Sequence, residues 1–283
     1  MKEIKAYKQI KIDNPRHGEI CQGLIFSCAV GEEYPTTDVF GFVVTARCDI
    51  AQDKVHAYNY VPIVPLDEWL RVDGARIILD SATKNAINTT RSICSELNMS
   101  YSVVETEGLS SVCEKLSQTL TKSKDLKQLN KLKAQIQTIK TITNYDFDSP
   151  SATTTLTEIA TPQIKDVLKR LFNHNLQGYY FLEKTEATGD STGYVLLLRE
   201  VRMIPDKLMK LVAQGLTQDE AKAMGIEHHI QFSENWDMAY PIGKLVSPTI
   251  EHVMQTFALL FSRIGVEDIN DQYIQHMLTK FSE

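Results

Sequence analysis

Apolar side chains recur at three- and four-residue spacing along Leu109, Val112, Cys113, Leu116 and Leu120. The pattern resumes with Leu126, Leu129, Leu132, Ile136 and Ile139. A period near 3.6 lines such residues along one side of an α-helix, and that side must be packed against something else. The polar stretch KSKD (122–125) interrupts the pattern. Two arrangements satisfy it: a helical hairpin that breaks at KSKD, or one long helix.

The same stretch is electrically distinct. Residues 109–142 carry seven lysines (115, 122, 124, 127, 131, 133 and 140) against Glu114 and Asp125, in a chain whose net charge is −6. One reading is a solvated helix face. The other is a docking arm, with Lys122, Lys124, Lys127 and Lys131 meeting an acidic protein or a nucleic acid. No aromatic residue interleaves these lysines, so a stacking platform for single strands is not expected. The overall acidity argues against indiscriminate binding to polyanions.

Residues 18–66 read differently. Ile20–Val30 and Phe40–Ala46 are apolar and rich in β-branched and aromatic residues, and GEEYPTTD (31–38) between them is a turn by composition. YNYVPIV (58–64) predicts a third strand, with Pro62 marking a sheet edge or a strand end. Short strands with little helix between them suggest a small antiparallel sheet or barrel.

LDEWL, from Leu66, is a short helix candidate, and 81–98 is polar and ambiguous. NYDFDSPSATTTLTEIA (144–160) reads as a linker. A helix follows over 161–175, capped by Thr161, with Pro162 in its first turn and a stripe of Ile164, Val167, Leu168, Leu171 and Phe172. GYYFLEK and GYVLLLREVRMI bracket TEATGDST as a hairpin. Two short helices surround Gly215-Leu216-Thr217; the second, TQDEAKAMG, is too acidic for a DNA-recognition helix. The last long helix spans 247–266, with Ile250, Val253, Met254, Phe257, Phe261 and Ile264 facing inward. A short helix is expected over 270–281.

Five cysteines, an odd number without C-x-x-C, suit a reduced cytoplasmic protein. The opening MKEIKAYKQIKIDNPRHGEI has no apolar segment typical of a signal peptide. No uninterrupted apolar run reaches about 18 residues, so no membrane association is expected.

Chemistry has few footholds. Arg47, Cys48 and Asp49 leave the end of an apolar strand, where functional loops often begin. Strand alternation sets Arg47 and Asp49 on one face and turns Cys48 towards the core. Among the histidines (17, 56, 174, 228, 229, 252 and 276) there is no H-E-x-x-H and no pairing with C-x-x-C, so no metal is expected. Glu251, His252 and Gln255 share the polar side of the last helix, and Glu251 and Gln255, one turn apart, can contact one ligand. Walker, G-x-G-x-x-G, kinase and G-x-S-x-G signatures are missing, which points away from the common enzyme classes and implies no cofactor.

HGEICQGLIF, GFVVTARCDIAQDK and KLVSPTIEHVMQTFALLFSRIGV together resemble a bacterial family with the pattern Q-G-D-I-F, V-V-x-S-Q-x-C-D-I and a closing S-P-x-x-E-H-x-x-Q-x-F…R-I-G. Leu24 stands where that pattern has aspartate, and Ala46-Arg47 replaces its Ser-Gln. The resemblance implies a bacterial or phage source and a place among mobile or defence-related genes. Gly18-Glu19-Ile20 and Val43-Val44-Thr45 also resemble the small SH3-like barrels of MazF/PemK toxins, although Val39-Phe40 replaces the arginine–proline before the strand. That resemblance implies a ribonuclease in which Arg47 stabilises phosphate charge, Asp49 or Glu19 acts as base, and His17 or His56 as acid.

The expected fold is α+β. Residues 1–66 would form a small N-terminal antiparallel, SH3-like β-barrel, and 67–145 a lysine-rich helical insertion. Residues 146–283 would supply a helix, a β-hairpin and further helices that complete the barrel domain. The expected function is a non-enzymatic binding or regulatory subunit that docks a protein partner or ligand. Its surfaces would be the barrel rim (Arg47, Asp49), the basic helices and the Glu251–Gln255 face, with nucleic acid as a second partner of the 109–142 segment. The alternative is the toxin-like ribonuclease built on Arg47, Asp49 and His17.

Overall fold

The computed structural model describes residues 10–149, 151–187 and 193–262. The fold is mixed α/β, an antiparallel half-barrel sheet with several helices packed on it. In chain order the first half contains β1 (Ile12–Asp13), β2 (Leu24–Phe26), β3 (Phe40–Val43), α1 (Arg47–Ala51) and β4 (Ala57–Pro65). α2 (Leu66–Trp69) runs through a π turn at Leu70–Gly74 into α3 (Ala75–Glu96). Then come α4 (Tyr101–Glu107), α5 (Leu109–Thr119), α6 (Ser123–Thr143) and α7 (Ala152–Phe172). The second half contributes β5 (Tyr179–Leu182), β6 (Tyr194–Leu197), β7 (Arg202–Pro205), α8 (Asp206–Gln214), β8 (Leu216–Thr217), α9 (Gln218–Met224), β9 (Met238–Ala239), β10 (Pro241–Leu245) and α10 (Thr249–Ser262).

The main sheet runs β1-β10-β2-β3-β4-β6-β5, with β7 also paired to β4. Residues 1–66 therefore do not close a barrel among themselves: β10 lies between β1 and β2, with Ile12 opposite Leu245 and Ile25 opposite Gly243. β5, β6, β7 and β10, from the region expected to complete the barrel domain, share one hydrogen-bonded sheet with β1–β4.

Pro62 lies inside the nine-residue β4 rather than at an edge or end. Its tolerance there has a geometric reason. On one side Gly41 of β3 faces Pro62. On the other side β7 covers Ala57–Tyr60 and β6 covers Ile63–Pro65. Val61 and Pro62 fall at the junction of these two partners, where a missing N–H breaks no ladder.

Alternation along the strands gives the sheet two apolar faces. Leu24, Phe26, Val43, Tyr60, Val64 and Val195 pack with Trp69, Ile78, Leu171, Met209 and Val212, which come from α2, α3, α7 and α8. Ile25, Phe42, Val61, Ile63, Tyr180 and Leu196 face the other way and pack with Ile250 and Val253 of α10. Ile250 and Val253 are 1 % and 0 % exposed. Burying each is worth roughly 1.5–3 kcal/mol, enough to hold α10 on the sheet. Phe261, expected on the buried stripe, is 60 % exposed, and Ile264 lies outside the described residues. So do the end of the expected helix at Gly265, the expected helix at 270–281, and part of TEATGDST. β5 and β6, which flank that turn, pair antiparallel.

The helical periodicity resolves as a hairpin of α5 and α6 with the break before Ser123. Cys113, Leu129 and Leu132 bury against Ile93 of α3 in a small core of their own. The ambiguous 81–98 region is the helix α3. The expected linker is helix from Ala152, because Leu156 and Ala160 find buried places against the main core. α7 is kinked at Ala160, which takes φ −141° just ahead of Pro162. Proline there removes a backbone donor and crowds the preceding turn.

Gly23 fixes how closely α10 approaches. Its φ is +91°, and a Cβ there would lie 2.4 Å from Ile250 Cδ1 and 3.2 Å from the Leu245 carbonyl oxygen. Gly23→Ala is expected to cost about 2–4 kcal/mol, combining left-handed strain with overpacking. Urea unfolding would show a lower midpoint at unchanged slope.

Candidate functional site

The apolar strand that leads to Arg47 ends at Val43. Thr45, 9 % exposed, accepts the Asn59 N–H at 2.7 Å, and the chain then turns into α1 at Arg47. The Arg-Cys-Asp segment is thus helical, and strand alternation does not apply to it. Cys48 is exposed, with its Sγ 3.6 Å from Asp49 Oδ1, so the expectation that it fills the core is overturned. Arg47 reaches across to α10, its Nη2 3.3 Å from Glu251 Oε1, while the Ser247 hydroxyl donates to Glu251 Oε2 at 3.0 Å. The Glu251 backbone N–H, then the Ser247 hydroxyl and Arg47, hold this carboxyl below the usual carboxylate range. With both partners more than half exposed, solvent screens this ion pair and it adds little to stability.

His17 is exposed, and neither it nor Asp49 lines the two depressions beside α10. Lys122, Lys124, Lys127 and Lys131 are exposed on the α5–α6 hairpin and form no ion pair among the described residues. Glu251 and Gln255, by contrast, stand together on the wall of a cleft of about 760 Å³.

That cleft is built where α7, β5 and α10 meet. α7 closes with His174 in the left-handed region, φ 55°, its N–H on the Leu171 carbonyl at 3.0 Å and the Asn175 N–H on the Arg170 carbonyl at 2.8 Å. Glycine or asparagine is usual at such a helix end, and a histidine there is uncommon. The turn lays the imidazole flat on Tyr180 of β5, with ring centroids 4.0 Å apart and planes 15° apart. The Tyr180 hydroxyl lies 2.7 Å from Nδ1 of His252 on α10. The His252 ring meets His174 edge-on at 5.3 Å. Phe172 and Phe181, 4.6 Å apart, extend the aromatic wall, and Lys11, Asn173 and Glu183 complete the polar rim.

Burial, and to a lesser degree His252, press the His174 pKa down to about 4, so this imidazole is neutral at pH 7. Its Nδ1 is buried without a hydrogen-bond partner. Burial also pushes the Tyr180 hydroxyl up to about 12. Cys21 is likewise pushed up to about 11 and Cys28 to about 12, mainly by burial, which disfavours either as a thiolate nucleophile. Among the described residues no three His, Cys, Asp or Glu side chains converge as metal ligands. Nor is any described helix long and apolar enough to cross a membrane.

Sequence reasoning found Glu251, His252 and Gln255 as one helix face, but missed His174, Tyr180 and Glu183. The only local signal was Asn173-His174-Asn175 at a helix end, a composition that suits a left-handed turn.

Two outcomes follow from this geometry. An unfolded histidine titrates near 6.5, above the folded value of about 4 for His174. The stabilisation that comes from keeping His174 neutral is complete above pH 6.5. It is lost as pH falls towards 4, by no more than about 3 kcal/mol. His174→Asn, which tolerates the left-handed backbone, is expected to flatten that slope in denaturant melts at pH 4–7. Cys48→Ser is expected to change stability by less than about 0.5 kcal/mol in the same assay, because the thiol is exposed.

Set beside known protein families, characterised proteins and solved structures, the chain matches none of them.

Proposed function

We propose that this chain is a non-enzymatic binding or regulatory subunit with two working surfaces. The cleft between α10 and β5 receives a small ligand, and the lysine-bearing α5–α6 hairpin docks an acidic partner. The bacterial defence or mobile-element setting implied by the sequence resemblance belongs to the same proposal.

The observation that carries the reading is the cleft. Its volume of about 760 Å³ falls in the range of small-molecule sites. It combines an aromatic wall with a few polar groups whose positions are fixed by other side chains: Tyr180 by His252, and Glu251 by Arg47 and Ser247. This favours recognition over reaction. His174 is neutral and stacked, the Tyr180 proton is held tightly, and Arg47 is engaged with a carboxylate.

The hairpin supports the second surface. Lys124, Lys127 and Lys131 recur at three- and four-residue spacing on the side of α6 away from Leu129 and Leu132, which are buried. Asp125 is the one acidic residue in α6. Such a stripe attracts an acidic partner through charge, with an association that weakens in salt.

The test is capture from the native host with tagged full-length protein, wild type against Lys124→Glu/Lys127→Glu/Lys131→Glu. Wild type is expected to retain a partner at low salt, and the triple variant to lose at least about tenfold of it while melting normally. Capture of the same partner in equal amount by both forms would remove the hairpin from the proposal.

A further inference from the structure

The hydrogen-bond polarity of the cleft can be assigned from its own contacts. Tyr180 is 2 % exposed, and among the described residues its hydroxyl has one partner, His252 Nδ1. A buried hydroxyl proton without an acceptor is costly, so the tyrosine donates and Nδ1 accepts. Neutral His252 then carries its proton on Nε2. For His174 the argument runs through the buried, unpartnered Nδ1. A proton there would be an orphaned N–H, the rarer and costlier kind of unsatisfied group, so neutral His174 is also protonated on Nε2. Both imidazoles therefore offer N–H donors at the cleft, and Gln255 on the same wall adds an amide. Glu251 is already held by Arg47 and Ser247. Half-buried Glu183 lines the cleft with no side-chain partner among the described residues, and its carboxylate is the charged acceptor left for a ligand.

We propose that the cleft binds a planar heteroaromatic molecule of nucleoside size. Its ring lies against Phe172, Phe181 and His174. Its carbonyl or ring-nitrogen acceptors take the imidazole and Gln255 N–H groups, and its amino or ring N–H group donates to Glu183. An aliphatic ligand would leave the aromatic wall unused. A simple amine would pair with Glu183 and leave the imidazole N–H groups without acceptors. A triphosphate would meet Glu183 with Lys11 as the cation on the cleft wall. A base edge presents both donors and acceptors in one plane and matches the set. The inference rests on the reading of this cleft as a ligand site.

The experiment titrates isotope-labelled full-length protein with guanosine, adenosine, uridine, guanosine triphosphate and, as a non-planar control, N-cyclohexylacetamide, while following the imidazole nitrogens of His174 and His252. At least one nucleoside is expected to shift both imidazoles at submillimolar concentration. Guanosine is expected to bind more tightly than its triphosphate, and Glu183→Gln to weaken nucleoside binding at least tenfold without altering the melting curve. If the cyclohexyl amide shifts the same nitrogens as strongly as the nucleosides, the heteroaromatic assignment is wrong and the ligand site stands. If Glu183→Gln leaves nucleoside affinity unchanged, the donor–acceptor assignment is overturned. If no compound shifts either imidazole, this inference and the ligand site both fall.

Discussion

The insertion of β10 between β1 and β2 is the pairing on which the candidate site depends. It joins Leu245 to Ile12 on one side and Gly243 to Ile25 on the other. The ladder is irregular between Pro241 and Gly243, and a Cβ at Gly243 would lie 2.1 Å from the Thr185 carbonyl oxygen. Only glycine permits that approach. With β10 in place the chain leaves Leu245 directly beneath α10, so Ile250 and Val253 reach the apolar face of the sheet and His252 reaches Tyr180. The β10 pairings join residues more than two hundred positions apart, so closing them carries a large loop entropy cost.

Features decided by neighbours in sequence were legible, and features decided by distant partners were not. The leucine stripe of α6 could be read because a helix presents its own period, and Leu129 and Leu132 bury as that period requires. The Thr-rich 152–160 stretch was misread because its composition favours a loop, while burial of Leu156 and Ala160 against α3 and the sheet outweighs propensity. Pro62 was misread for a related reason. The rule that proline marks an edge assumes one continuous partner on each side, and β4 has two on one side.

The Arg47 region shows how sharply such a reading depends on local conformation. Carried on as a strand, the chain would turn Cys48 inward; as the first turn of α1 it sends the thiol to solvent and swings Arg47 to Glu251. Glu251, His252 and Gln255 were recognisable as one helix face, since their spacing is local. What makes them a site is Tyr180 and His174, more than seventy residues earlier in the chain. Nothing in the sequence near either residue announces the other.

Three costs converge on His174: a left-handed backbone, an unpaired buried nitrogen and a depressed basicity. Each alone is tolerable, but together they persist only where surrounding structure over-determines the conformation. Here the closing turn of α7, the Tyr180 ring and the edge of His252 do so. The consequence is that the His174 and Tyr180 side chains are held in place by their neighbours, and a ligand proposed for this cleft would meet groups already ordered. The lysine hairpin is organised on the opposite principle. Its core is a small cluster around Cys113, Leu129 and Leu132, separate from the sheet, and its charges stand on flexible stems in solvent. The cleft is thus built from side chains held by one another, and the stripe from lysines that stand apart in solvent. The two are joined by α3, which packs against both α6 and α7.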